Sequence, residues 1–443
     1  MTDAVGRWAL DGVCYAWRVA LTLRKILAGT FAVPAVALGF AACGLDVVGA
    51  GVDATGSTPT DGAPGATTPE AEGGAPPDAA GDADAAPGPE TCSWPGSQRG
   101  APWPMIGGCV GHAGRTAHRG PKAKPEIVWE TTISTRETHP VIGADDTVFV
   151  PANVDGLLAF DPDGGRRPFA ESGTGVANNV TNVPSIGVDG TLYFGAERNV
   201  VAHRKSGTYW RFATGGEIDT SAVVDEDGTV YCGSFSDRLF ALSPDGGQLW
   251  EKDLGSDIWA AVAIGPTGEL YVGAGSRLYA LKRDGGESWS YATTGEVRCA
   301  AVVADDGTIY AGTLGSRLHA VHPDGGPKWT TTTRGDVMWQ ALPALAKDGT
   351  IYAATSSWLA AFDPADGSMK WEVDTGVPLR TAVVVDPDGD IYVGGDKKMF
   401  AYAPDGARRW EVDIGANPFG FAIGRDGTVF VAANDNKLFA LHE

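Results

Sequence analysis

Three groups of side chains have types and spacings that chemistry could use. His319 and His322 form a possible imidazole pair for a transition metal. Cys109, His112 and His118 offer zinc-binding atoms, and Asp386, Asp388 and Asp390 alternate around Gly389 like the start of a calcium loop. Each fails on its own terms. Residues three apart on a strand point to opposite faces, so His319 and His322 cannot share one ion. The Cys109 group lacks the second ligand pair of a structural zinc site and reads as a plain loop. The aspartates lack the distal Glu of a calcium loop and fall where other parts of the chain have a turn, so a hairpin turn is expected. Cys232 and Cys299 lie in predicted strands, as buried small apolar residues rather than catalytic thiols. No nucleophile elbow, phosphate loop or pair of catalytic carboxylates is present. The residues therefore predict no metal, no cofactor and no catalytic site.

The elements around these residues repeat. Closing aromatics stand at Trp129, Phe169, Trp210, Trp250, Trp289, Trp329, Trp371 and Trp410. Ahead of them a turn recurs, as Asp145-Asp146, Asp189-Gly190, Asp227-Gly228, Thr267-Gly268, Asp306-Gly307, Asp348-Gly349, Asp388-Gly389 and Asp426-Gly427. Between the turns the apolar residues alternate with the period of two that a strand requires. Asp-Gly and Pro-Asp-Gly-Gly clusters are turn chemistry, because Gly accepts positive φ and Asp bonds nearby backbone. A period of about forty residues with four short strands per unit predicts a β-propeller. The units are out of phase with the chain: a lone strand near Trp129 precedes the first full unit, and the last unit stops after its third strand. The expected fold is all-β, an eight-bladed propeller of four-stranded antiparallel blades, with the N- and C-terminal strands sharing one blade. An indole buried between blades would remove roughly 150–250 Å² from water, about 4–6 kcal/mol as an upper bound.

Aligned on the turn, the residues that open each inner strand differ from unit to unit. They are Glu137 and His139, Asn182, Asp219, Trp259, Arg298, Trp339 and Gln340, Arg380, and Phe419. In a propeller these positions crowd one mouth of the central channel. Their mixture of Trp, Arg and acidic residues suits a peptide or sugar, so they are the candidate partner-binding residues. Drift on exposed loops would give the same variety.

The repeat resembles the pyrroloquinoline-quinone (PQQ) superfamily, whose docking motif is A-x-D-x-x-T-G-x-x-x-W. Ala361 to Trp371 matches it except at Asp366, which replaces Thr; Ala159 to Phe169 keeps the spacing without the Trp; most other copies are one residue shorter. Trp103 to Gly108 and His112 to Thr116 resemble the lead-in of such propellers. The superfamily contains quinoprotein dehydrogenases and BamB-type lipoproteins of outer-membrane protein assembly, the latter eight-bladed and without quinone. The dehydrogenases carry insertions, metal ligands and adjacent cysteines. Compact units and the lack of a Cys-Cys pair liken this chain to the non-enzymatic branch. The expected function is a non-catalytic, envelope-anchored binding or scaffold propeller recognising a protein or polysaccharide, possible in outer-membrane protein assembly. The alternatives are a PQQ-dependent dehydrogenase and a polysaccharide-acting enzyme.

The front of the chain is different material. Arg24-Lys25, the apolar run Ile26–Leu38 and small residues up to Cys43 resemble a lipoprotein signal, so residues 1–43 are expected to be removed or lipidated at Cys43. Signal cleavage near Ala42 with Cys43 incidental is the other reading. Met1–Leu23 either extends the signal or precedes the true start. Residues 44–91 are Gly, Ala, Pro, Thr and Asp with no Lys or Arg, an expected disordered acidic tether. Residues 92–125 form a lead-in, with an expected disulfide between Cys92 and Cys109, and residues 126–443 the propeller. A formal net charge of −21 and the lack of a basic stripe exclude a nucleic-acid partner. A monomeric head on a lipid anchor in a bacterial envelope is the expected layout.

Overall fold

Eight four-stranded antiparallel sheets form a closed ring. The computed structural model describes residues 98–134, 138–152, 156–168, 180, 182–204, 209–337 and 342–443, all within one unit, Ala80–Glu443. Blades 1 to 7 take consecutive segments: 141–167, 185–213, 223–253, 263–292, 302–332, 344–374 and 384–413. Each runs from a two-residue inner strand to an outer strand. Blade 8 is built from both ends of the described chain. Pro418–Ile423, Val429–Ala433 and Lys437–His442 supply three strands, and Glu126–Thr132 pairs outside the last, from Glu126 opposite His442 to Thr132 opposite Lys437. The spare strand fills the gap, as its phase predicted, and no blade is left with an unpaired neighbour at the joint.

The turns work as their residues dictate. In blade 3, Gly228 N donates to Asp225 O, and Thr229 N donates to Asp227 Oδ1. Asp189, Asp306, Asp348 and Asp426 hold Thr191, Thr308, Thr350 and Thr428 in the same way. Blade 1 carries Asp146 where the others have Gly, in the left-handed region at φ 59°, which Asp tolerates better than most residues.

The closing tryptophans fasten each blade to the next. The indole N–H groups of Trp129, Trp210, Trp250, Trp289, Trp329 and Trp371 donate, at 2.8–3.0 Å, to the carbonyls of Pro162, Pro244, Arg283, Pro323, Pro364 and Pro404. Trp410 has no such turn ahead of it, because blade 8 is broken between its third and fourth strands. Its N–H donates instead to Pro121 O at 2.8 Å. Full burial of these indoles, expected from the sequence, holds only for Trp410; the other six are half-buried. They lie at the rim of the disc with one side in solvent, so each contributes less than the upper bound. A bulge before the Trp recurs in most outer strands and turns Leu249 and Val128 outward, exposed by 55% and 54%.

The lead-in around Cys109, His112 and His118 is a loop, as expected, but one docked onto the ring. It crosses the turn-side end of the channel and pairs with one inner strand after another. Trp103 exchanges backbone hydrogen bonds with Ile142, and Pro104 O accepts from Ile186. Val110 O, Gly111 O, Ala113 O and Gly114 O accept from Ile264, Val303, Leu345 and Val385 in blades 4, 5, 6 and 7. These are the inner-strand groups that no neighbour within the blade could satisfy. Gly114 must be Gly: its φ is +65°, and a Cβ would lie 2.6 Å from that of Ala344. His112 is fully buried at the centre, with Nδ1 2.8 Å from Ile106 O and Nε2 2.8 Å from Val262 O. Burial holds its pKa below the ordinary value, against the pull of the two carbonyls. The aspartate run is the expected hairpin turn, and it also anchors this plug. Asp388 pairs with Arg119 at 2.9 Å and Lys122 at 2.6 Å, and Asp386 accepts from Gly120 N and Tyr392 OH.

Candidate functional site

At the opposite end of the channel the described residues form a cup. Ile106 of the plug forms part of a floor, and His139, Asn182, Val183, Asp219, Ser221, Trp259, Ala260, Ala261, Arg298 and Ala300 form walls around it. The enclosed space is about 30 Å³, close to the share of one water molecule in the liquid. The walls come from the starts of the inner strands of blades 1 to 5, the places that the repeat alignment picked out. His139, Asp219, Trp259 and Arg298 are thus brought together around one cup. Arg380 and Phe419 occupy the matching positions of blades 7 and 8 but do not line it. Arg380 is exposed and makes no ion pair among the described residues; Phe419 is half-exposed. Glu137, Trp339, Gln340, Cys43 and Cys92 lie outside the described residues.

Along each inner strand the position decides the role. Asn182, Thr220, Cys299 and Thr381 are buried clasps to a glycine of the second strand. Asn182 Oδ1 accepts from Gly195 N, Thr220 Oγ1 donates to Gly233 O, and Cys299 Sγ to Gly312 O. Asn182, expected at the mouth surface, is therefore mainly structural. Thr138 and Ala260 hold the same position in blades 1 and 4 without a clasp, and the residues just before these positions reach the rim: Asp219, Trp259, Arg298 and Arg380. The residues just after these positions line the cup: His139, Val183, Ser221, Ala261 and Ala300.

At the rim three blades stack one group each. Phe235 of blade 3 lies 4.3 Å, centroid to centroid, from the Trp259 ring of blade 4, and the guanidinium of Arg298 of blade 5 sits 4.5 Å from the same ring. Arg298, like Arg380, is a candidate for paired contacts with a partner's carboxylates or carbonyls. Glu296 holds Arg298, at 2.8 Å from Nε and 2.7 Å from Nη2. With Glu296 paired to Arg298, the stack is close to electrically neutral.

His139 is 5% exposed and makes no hydrogen bond among the described residues. Burial pushes its pKa down to about 4, so the ring is neutral near pH 7. It fits only because position 420 is Gly. A Cβ there would lie 2.2 Å from Cγ of His139.

The remaining candidates resolve simply. Cys232 and Cys299 are buried and free, with thiol pKa values pushed up by burial to about 12 and about 11; they are inert packing residues. Cys109 is buried and disulfide-bonded. His319 is buried against Tyr291, Thr294 and Thr330, while His322 is exposed on the other side. Among the described residues no group of three or more His, Cys, Asp or Glu is placed to hold a metal ion.

A ring of eight blades joined by tryptophan docking, plugged at one end and cupped at the other, defines a propeller of the PQQ-like repeat class. The sequence matches the family described as outer membrane protein assembly factor BamB over residues 198–354, 274–377 and 355–443, and the chain belongs to that family. No curated protein matches the sequence. Among solved structures, BamB from Moraxella catarrhalis is similar at 14% identity and a TM-score of 0.60, covering 72% of this chain and 100% of its own. The quinohemoprotein alcohol dehydrogenase from Comamonas testosteroni is similar at 13% identity and a TM-score of 0.63, covering 78% and 81%. A europium-containing methanol dehydrogenase follows at 12% identity and a TM-score of 0.61, covering 75% and 89%. These likenesses concern the fold. The cup formed by the described mouth residues is small for a quinone cofactor. A cofactor pocket usually encloses several hundred Å³, and this cup encloses about 30 Å³.

Proposed function

We propose that the protein is a non-catalytic binding scaffold of the bacterial envelope that engages a protein partner with its channel mouth. The observation that carries this is the division of labour between the two ends of the channel. One end is filled by the protein's own plug. The other presents a Phe235–Trp259–Arg298 stack that blade docking does not need. Aromatic and guanidinium groups are the usual anchors of protein interfaces. Family membership favours a partner in outer-membrane protein assembly. In the same reading Cys43 carries a lipid, residues 44–91 are the tether, and Cys92 is the disulfide partner of Cys109. A photo-crosslinking residue placed at Arg380, exposed on the mouth side, is expected to capture an envelope protein in living cells. The same residue at Asp324, on an outer turn, is expected to capture none. Capture from the turn alone, or stoichiometric calcium-dependent uptake of PQQ with dehydrogenase activity, overturns the proposal.

A further inference from the structure

The cup contains a polar group with nothing to bind. His139 is 95% buried and lines the cup; no described residue hydrogen-bonds it, and a glycine at position 420 makes room for its ring. An imidazole this buried, with no protein partner, depends on whatever enters the cup for its hydrogen bonds. Other polar walls of the cup are partly occupied. Asn182 is committed to Gly195, and the hydroxyl of Ser221 accepts from Val183 N. Glu296 holds Arg298 at the rim. What faces the cup is then the neutral imidazole of His139, with one N–H donor and one lone pair, beside the Asp219 carboxylate and the O–H of Ser221.

We propose that the cup is a recognition subsite for a hydroxyl-bearing side chain, Ser or Thr, inserted by a polypeptide segment of the partner, with His139 as the group that reads it. This rests on the mouth being a protein-binding face and adds what that face selects. Three observations narrow the occupant. The volume, about 30 Å³, suits a hydroxymethyl-sized tip better than a ring. An anionic tip would meet the Asp219 carboxylate and a cationic one the Arg298 guanidinium, which line the same cup. A hydroxyl has both a donor and an acceptor, so it matches either nitrogen of His139 in whichever tautomer. A polypeptide is favoured over a saccharide by the rim. Phe235 from the preceding blade and Arg298 from the following blade both contact the Trp259 ring, which leaves less of its face for a sugar ring to stack on. The indole N–H of Trp259 makes no hydrogen bond among the described residues, and at the ring edge it is a donor for a backbone carbonyl beside the inserted side chain.

The test uses the whole protein with ¹⁵N-labelled histidine and three probes: acetyl-Gly-Ser-Gly-amide, acetyl-Gly-Ala-Gly-amide and methyl glucoside. The imidazole resonances of His139 are assigned by their loss in His139→Phe, which keeps the ring volume and removes both nitrogens. The serine peptide is expected to shift these resonances saturably, with an apparent Kd roughly three- to tenfold below that of the alanine peptide, as one net hydrogen bond gives. His139→Phe is expected to bind both peptides equally. Equal affinity for the two peptides in the wild type overturns the proposal, as does a shift by methyl glucoside alone or no shift by any probe. Mouth-directed crosslinking from Arg380 is read separately: if it persists while the serine preference is absent, the scaffold reading stands and this subsite falls.

Discussion

Replacing His112 by Ala should unfold the propeller at a lower temperature than any change in a surface loop could. The imidazole is fully buried at the centre of the plug, with its two nitrogens 2.8 Å from the carbonyls of Ile106 and Val262. A neutral ring donates to one of them, and losing that donor leaves a buried acceptor unpaired, at about 1–3 kcal/mol. The void left by the ring adds about 2–3 kcal/mol, the lower part of the range for large-to-alanine changes. The sum is about 3–6 kcal/mol. At roughly 2 °C per kcal/mol for a domain of this size, the midpoint falls by about 6–12 °C. Thermal unfolding followed by far-ultraviolet circular dichroism measures this directly. Limited proteolysis provides the second readout, with new cleavage expected between Trp103 and Lys124, because the plug is held to the ring mainly by backbone pairing. A shift within about 1 °C, the result for a solvent-exposed loop, would refute the reasoning that this segment is structural.

Other expectations follow from the same geometry. Deleting residues 438–443 removes the strand against which Glu126–Thr132 pairs, and with it Glu443, whose carboxylate accepts from the backbone of Lys122 and Ala123; size-exclusion chromatography should show unfolding or association, and an unchanged monomer would contradict ring closure. His139 has its pKa lowered from 6.5 to about 4 by burial, so its folded form favours the neutral ring. The stability linked to it is complete above pH 6.5 and declines as pH falls towards 4, by about 3 kcal/mol. His139→Phe should therefore lose less stability than the wild type across that window in matched urea titrations, and parallel pH profiles would count against the buried, neutral assignment. Cys232 and Cys299, with thiol pKa values pushed to about 12 and about 11, should resist a thiol reagent at pH 8 until the protein is unfolded; rapid native labelling would mean the strands around them open.

The ring was legible because its information is periodic. The recurring turn fixed where strands begin, the recurring Trp fixed where blades meet, and the phase of the repeat against the chain fixed how blade 8 closes. The plug was not legible, because it repeats nothing. It docks through backbone groups onto inner strands, and backbone pairing leaves little trace in side-chain type. Its signals were faint: apolar Trp103, Met105, Ile106 and Val110 at irregular spacing, and a third aspartate at Asp386 that other turns mostly lack. The mouth was half legible. Alignment found the right columns, but each strand start alternates between rim, clasp and channel lining, so Asn182 and Asp219, which seem equivalent by type, differ in role. That Arg298 is held by Glu296 depends on a neighbour two residues away on the same loop, a contact that only the fold reveals.

The central claim is that the mouth serves a partner and the rest of the ring serves stability. The Trp259→Ala, Arg298→Ala double variant tests it most directly, because the two residues stack on each other at the rim and neither joins the docking tryptophans. With native membranes and the in vivo crosslinked species as the readout, the variant should melt within a few degrees of wild type and recover less than about a tenth of the partner, as expected when an anchor of roughly 2 kcal/mol is removed. Full recovery of the partner by a folded double variant would contradict the claim.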